Sequence, residues 1–290
     1  MCIRDRPDLT LEELSGSLFT EFQINVAPQT VSHHLNGLCY TLKECRVELD
    51  TVNSQVNKAK RLSWANDYLQ LVSDGYIPMF QDETNFNQHI RRSRGRARKG
   101  ERAVCNLPAT RGRNIHCVAS ISPLDLISFS NHLGSLKAPD FGEYLKLIAD
   151  GLERRLIGKA VINIDNAPWH ANAETEWNKI MNSFNRDGRT RDWKLLRLAP
   201  YSFSCSPIER FWSAFKAGVK AEFQERREEI LYRELTAGET FTSRRTRILR
   251  EVALHQSAQH SDVHKLQAYF QKVQLIIVKA SCGEDVPVGV

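Results

Sequence analysis

A chain of 290 residues is long enough for one large domain and a small one. Its 41% hydrophobic and 26% charged residues are ordinary for a soluble globular protein, and no apolar run reaches the length of a membrane span. The first residues hold no apolar signal-peptide core, and seven scattered cysteines without a CxxC pair read as reduced thiols of an intracellular protein, not as a disulfide framework or a structural zinc site.

Net charge is +6, a weak pointer to polyanions by itself. Its distribution says more. Between Arg91 and Arg113, "RRSRGRARKGERAVCNLPATRGR", nine residues are basic and only Glu101 is acidic. Dense arginine interleaved with glycine suits a loop on phosphates, with Arg91, Arg92, Arg94, Arg96, Arg98 and Lys99 as the contacts. A solvated basic loop or a nuclear-import signal would look the same.

In chain order, residues 9–38 predict two helices joined by a short turn. Thr10 and Glu13 form a capping box, and Leu11, Leu14 and Leu18 follow at helical spacing. The second helix opens with Pro28 in its first turn and carries Val31, Leu35 and Leu38 on one stripe. Gln29, Thr30, Ser32 and His33 fall largely off that stripe. A short second helix with a polar outer face fits the recognition helix of a helix-turn-helix module; a plain helical hairpin fits equally well. A longer helix over 53–72 reads as a linker.

The next segments alternate between strand and helix patterns. "YIPMFQDETNF", "NIHCVASIS" and "LISFSNHL" predict three strands. "PDFGEYLKLIADGLERRL" predicts a helix with Asp140 as its N-cap. "KAVINID" is a buried strand, residues 174–184 a helix, "KLLRLAP" a strand and "SPIERFWSAFKAGVKAEFQ" a helix with Ile208, Phe211, Trp212, Phe215 and Val219 on one face. This order predicts an α/β fold, a mixed sheet with helices on both faces. Beyond 226 further helices are expected.

Three acids stand at comparable places: Asp82 on the first strand, Asp165 where the fourth strand stops, and Glu209 opening a helix. If the first strand lies inside the sheet, next to the fourth, the three converge. Converging carboxylates suit Mg²⁺ or Mn²⁺, which prefer oxygen ligands, and two such ions a few ångströms apart suit phosphodiester chemistry. Each acid also has a plainer reading. Asp82 and Glu83 make a polar strand end, Asp165 makes an Asx turn through "DNAP", and Ser206 to Glu209 spells a capping box.

"FQDETNF", "NIDNAPWH" and "APYSFSCSPIERFWSAFK", in this order, resemble the three signature blocks of the mariner superfamily of DDE transposases and its bacterial insertion-sequence relatives. "RGRARKGERA" is similar to the basic segment that follows the family's first block. The resemblance covers residues 55–225. It implies an RNase H-like catalytic domain over 76–225 and, from the N-terminal helix pair, a helix-turn-helix DNA-binding domain over 1–45; the residues themselves read as a linker helix over 46–75 and a helical extension over 226–290. It implies Asp82, Asp165 and Glu209 as catalytic metal ligands, with Asn166 and His170 in supporting roles and Trp212 and Phe215 as core. It implies Mg²⁺ or Mn²⁺, in two ions, as cofactor, transposon ends and target DNA as partners, a homodimer on DNA, and a nuclear site of action in a eukaryotic host. Two other readings stay open: a silent DNA-binding protein derived from such an enzyme, and an RNase H-like nuclease without strand transfer. The sequence departs from the family in the block before Glu209, in the forty-three residues between Asp165 and Glu209, which exceed the usual spacing, and in showing one helix-turn-helix unit where two are common.

Overall fold

The computed structural model describes residues 8–42, 49–87, 89–90, 96–104, 112–134, 138–184, 191–231 and 238–287. They fall into two units, 1–49 and 50–290. The first contains α1 (Leu11–Phe22) and α2 (Pro28–Gly37). The Thr10–Glu13 capping box forms as the sequence predicts, and Pro28 stands at the start of α2. Val31 is the one buried hydrophobic residue described in this pair. Gln29, Thr30 and His33 are exposed on α2, and Ser32 is partly exposed.

The second unit is built on five strands: β1 (Ile77–Asn87), β2 (Asn114–Ile121), β3 (Leu126–Leu133), β4 (Lys159–Ile164) and β5 (Asp192–Arg197), in the spatial order β3-β2-β1-β4-β5. β1 is antiparallel to β2 and parallel to β4, so it sits at the centre, as the convergence of the acids requires. The parallel register pairs Ile77 with Ala160 and Phe80 with Asn163. Two residues on, the same offset sets Asp82 beside Asp165.

Side chains alternate across the pleat, so successive β1 residues feed two different cores. Phe80 packs with α3 (Gln55–Ser73), α6 (Ile208–Glu225), α8 (Phe241–Gln259) and α9 (Val263–Ser281). Met79 packs on the opposite face with α4 (Ala138–Arg154) and α5 (Ala173–Phe184). A short α7 (Arg227–Leu231) links α6 to the C-terminal helices. The apolar face of α6 is buried as its spacing predicts, with Phe211, Phe215 and Val219 fully inside. Full burial of such side chains contributes about 1.5–3 kcal/mol each.

Helix α3, expected to be a linker, packs in the first of these cores through Trp64 and Tyr68, and α8 and α9 join the same cluster. Trp64 donates its indole N–H to Asn163 Oδ1 (3.1 Å), and Asn163 Nδ2 donates to Met79 O (3.0 Å). The buried amide of Asn163 thus ties α3, β4 and β1 together just ahead of Asp165. Asp140 is not the cap of α4: the helix begins at Ala138, and Asp140 lies inside its first turn.

Candidate active site

β4 stops beside Asp82, which lies midway along β1, and the loop into α6 closes over that point. Asp82, Asp165 and Glu209 line one cavity of about 410 Å³, together with Gln81, Asn166 and Ser206. Asp82 shares the pleat face of Phe80 and accepts from the indole N–H of Trp212 (3.1 Å). Glu83 shares the face of Met79 and accepts from the indole N–H of Trp169 (2.6 Å). Two neighbouring carboxylates are therefore each held by a tryptophan, from opposite sides of the sheet.

Asp165 follows the last residue of β4. Its Oδ1 accepts from the Ala167 backbone N–H (3.0 Å), so the Asx turn expected from "DNAP" forms. The same oxygen lies 2.5 Å from Nδ1 of His170, which is fully buried. The turn and a role in chemistry coexist, because a carboxylate accepts several bonds. Nε2 of His170 faces Glu83 Oε2 at 3.8 Å, and neither atom has a hydrogen-bond partner. Arg197 anchors the loop by donating to the His170 carbonyl (2.8 Å) and bridging to Glu174. Asn166 Nδ2 donates to Leu198 O (2.5 Å), which fixes the chain direction after Asp165.

Glu209 is in the first turn of α6, but the capping box does not form. Pro207 is the N-cap and makes no side-chain bond, while Ser206 Oγ is buried without a partner. The side chain of Glu209 instead faces the cavity. The wall opposite is the segment Pro200–Phe203, in which Tyr201 adopts φ 55°. A left-handed tyrosine persists only where the surroundings over-determine it. Here the fully buried Arg61 of α3 donates to the carbonyls of Tyr201 (3.4 Å) and Val52 (2.7 Å), to Asn53 Oδ1 (3.1 Å) and to Ser202 Oγ (3.4 Å).

The electrostatics suit a cation. Burial and then the charges of Glu83, Glu209 and Asp165 push the Asp82 carboxyl well above its ordinary value. Burial likewise raises Glu83 and Glu209. Burial opposes ionisation of Asp165 too, but the bonds from His170 and Ala167 outweigh it and hold that carboxyl below the ordinary range. One firmly ionised acid among acids whose ionisation is resisted is a donor set that a hard divalent cation relieves. Oxygens of Asp82, Glu83 and Asp165 lie within 4.8 Å of one another, whereas Glu209 shares the cavity but not that tight group. Glu83 does not line the cavity, because Trp169 draws its side chain to the other face.

Sequence reasoning read Glu83 only as part of a polar strand end, passed over Trp169 and assigned Trp212 to the core alone. Trp212 is buried, yet its N–H serves Asp82. A buried indole needs an acceptor, which was the available signal. In the basic segment, Arg96, Arg98 and Lys99 are exposed between β1 and β2. Arg91, Arg92 and Arg94 lie outside the described residues.

A mixed five-stranded sheet with helices on both faces, and carboxylates gathered where β4 stops beside the middle of β1, defines an RNase H-like fold. Residues 78–230, just over half of the chain, match the family described as DDE superfamily endonuclease. The chain belongs to that family. Its fold is similar to the Mos1 strand transfer complex, with a TM-score of 0.61 at 16% identity over 98% of this chain and 77% of that one. The mariner Mos1 paired end complex with Mg gives 0.61 at 14% identity, also over 98% and 77%. The mariner Mos1 paired end complex with Mn gives 0.56 at 17% identity over 90% and 77%. No curated protein matches. Among the described residues no helix is long and apolar enough to cross a membrane.

Proposed function

We propose that this endonuclease is a mariner-type DNA transposase, which cleaves at transposon ends and joins the freed 3′-hydroxyl to target DNA. The observation that carries the reading is the one cavity onto which Asp82, Asp165 and Glu209 open where β4 stops beside β1. Mg²⁺ or Mn²⁺, two ions in this reading, would supply charge stabilisation at the phosphorus and lower the cost of ionising the attacking oxygen. In cleavage, a water oxygen loses a proton and bonds to phosphorus while the 3′-oxygen departs and takes one up; in joining, that 3′-hydroxyl loses its proton, its oxygen bonds to a target phosphorus, and the target strand's own 3′-oxygen departs and is protonated. Both are in-line displacements, and no covalent bond to the protein is needed.

The chain's own part is placement. Asp82, Asp165 and Glu209 are the metal ligands. His170 and the Ala167 N–H fix one rotamer of Asp165, Trp212 fixes Asp82, and Asn166 holds the loop. Gln29, Thr30, Ser32 and His33 on α2 read the transposon end, and the segment Arg91 to Lys99 contacts phosphates without regard to sequence. The partner is DNA, bound by a homodimer, within the nucleus where the host has one. The similar Mos1 structures are paired-end and strand transfer complexes, which supports this choice among DDE endonucleases.

Asp165→Asn keeps the shape of the side chain and removes its charge. Mg²⁺-dependent cleavage of a transposon-end duplex should disappear, while binding of that duplex in EDTA stays near the parent's. Cleavage at the parent's rate would refute the assignment.

A further inference from the structure

A second hollow, about 620 Å³, opens between the first half of α8 and the start of β2 and end of β3. Arg113, Arg247 and Arg250 line it, with Thr240, Thr242 and Ser243; the hydroxyls of Thr240 and Ser243 bond each other in the cap of α8, which leaves that of Thr242, and Glu251 is the one acid among the described residues of its wall. Arg250 is held in place by Asn131 of β3: its Nε donates to Oδ1 (2.8 Å) and its Nη2 to the carbonyl (3.3 Å). A guanidinium has five N–H donors, so this anchoring leaves others for a ligand. Arg247 is half exposed and pairs with Glu251 (2.8 Å) and, at 3.6 Å, with Glu239. Both acids already serve other arginines, Glu251 bonding Arg226 and Glu239 bonding Arg244. Exposed pairs of this kind are weak and yield to a stronger anion. Anchored guanidinium and surplus positive charge, beside the Thr242 hydroxyl, form a receptor for phosphate oxygens.

Its position says which phosphates. Asn87 pairs with Asn114, and Ile115 with Leu133, so the hollow lies at the end of the sheet toward which β1 runs after Asp82. Five residues along β1 at about 3.3 Å each, and two strand spacings of about 4.8 Å across to β3, put it about 20 Å from Asp82. Duplex DNA advances about 3.4 Å per phosphate along each strand, so that span is about six base pairs.

We propose that this α8–β3 hollow is a docking surface for the duplex backbone, gripping phosphates about six base pairs from the one placed at Asp82. The spacing rests on the transposase reading; the binding surface does not. Arg247→Gln/Arg250→Gln in the full chain, titrated in EDTA with a 30-base-pair duplex across a salt series, should bind cognate and random DNA more weakly alike. The slope of log affinity against log salt should become shallower by about 1 to 2. Mg²⁺-dependent cleavage at saturating DNA should persist. Thr242→Glu, an exposed position that anchors nothing, should weaken binding in the same way and guards against misfolding of the arginine variant. With a duplex ending about three base pairs from the scissile phosphate, parent and variants should bind equally. Unchanged affinity and slope in both variants, or an equal loss on the short duplex, overturns the proposal. If the parent fails to cleave but the variants still lose affinity, the surface stands and the catalytic reading falls.

Discussion

The two faces of the sheet treat their carboxylates differently. Asp82 and Glu83 are neighbours in sequence, and each accepts one indole N–H. On the α6 side, Asp82 opens onto the cavity with Asp165 and Glu209, and its ionisation is strongly resisted. On the α4–α5 side, Glu83 is turned toward buried His170 and stays out of the cavity. The difference separates holding an ion from holding the holder. A carboxylate facing open space beside other carboxylates is a ligand, whereas one enclosed with an imidazole and an indole orients a ligand.

Replacing Glu209 should show the largest effect, because it tests the ligand side directly. Glu209→Gln keeps volume and hydrogen bonding but loses the charge a hard cation needs. Mg²⁺-dependent cleavage should fall below detection, and the rise in melting temperature on adding Mg²⁺ should shrink. The sign for the metal-free fold is opposite. Burial raises the folded carboxyl of Glu209, so its charged form destabilises the protein at neutral pH, and that cost fades as pH falls through the folded value. The glutamine variant should therefore be at least as stable as the parent at pH 7 without metal. Thermal melts with and without Mg²⁺ check both statements.

An intermediate effect is expected from the other face. Glu83→Gln should lower cleavage by about 10- to 100-fold, the usual cost of removing a group that orients a ligand. More Mg²⁺ should recover part of it. If Glu83→Gln abolishes cleavage while Glu209→Gln is tolerated, the roles of the two faces are reversed, and the tight group of Asp82, Glu83 and Asp165 is the ligand set.

The smallest effect belongs to Ser206→Ala. Since the buried Ser206 hydroxyl caps nothing and has no hydrogen-bond partner, removing it should not lower stability and should leave cleavage near the parent's. A loss near 1 kcal/mol in denaturant unfolding would restore the cap.

Much of this site was legible in the sequence because it depends on local pattern. The apolar run stopping at Asp165 marks a strand end, whereas β1 runs on past Asp82 to Asn87, and the spacing of Phe211, Phe215 and Val219 marks the buried face that carries Glu209. The capping box at Thr10 and the Asx turn at Asp165 are short-range and formed as read. The misses are contacts between distant residues. Trp212 is 130 positions from Asp82 and Trp169 is 86 from Glu83, and nothing nearby reveals that an indole and an acid will meet. Helix α3 read as a linker because the partner of Trp64, Asn163, lies 99 residues on. At Ser206 the local rule named a capping box, but packing at the cavity prevailed over it.

The dependence of this core on α9 also orders events in time. Trp64 and Phe80 leave the ribosome well before α9, yet the cluster that encloses them includes Leu266, Val273 and Ile277 of that helix. Until those residues are made, an apolar face of the growing sheet has no cover, and Arg61 and the Tyr201 loop it pins lack their finished surroundings. The nascent chain therefore carries its acids long before it can hold them in place, and the same interval leaves it most open to aggregation and to chaperones. Nuclease competence arrives only once α9 has been made.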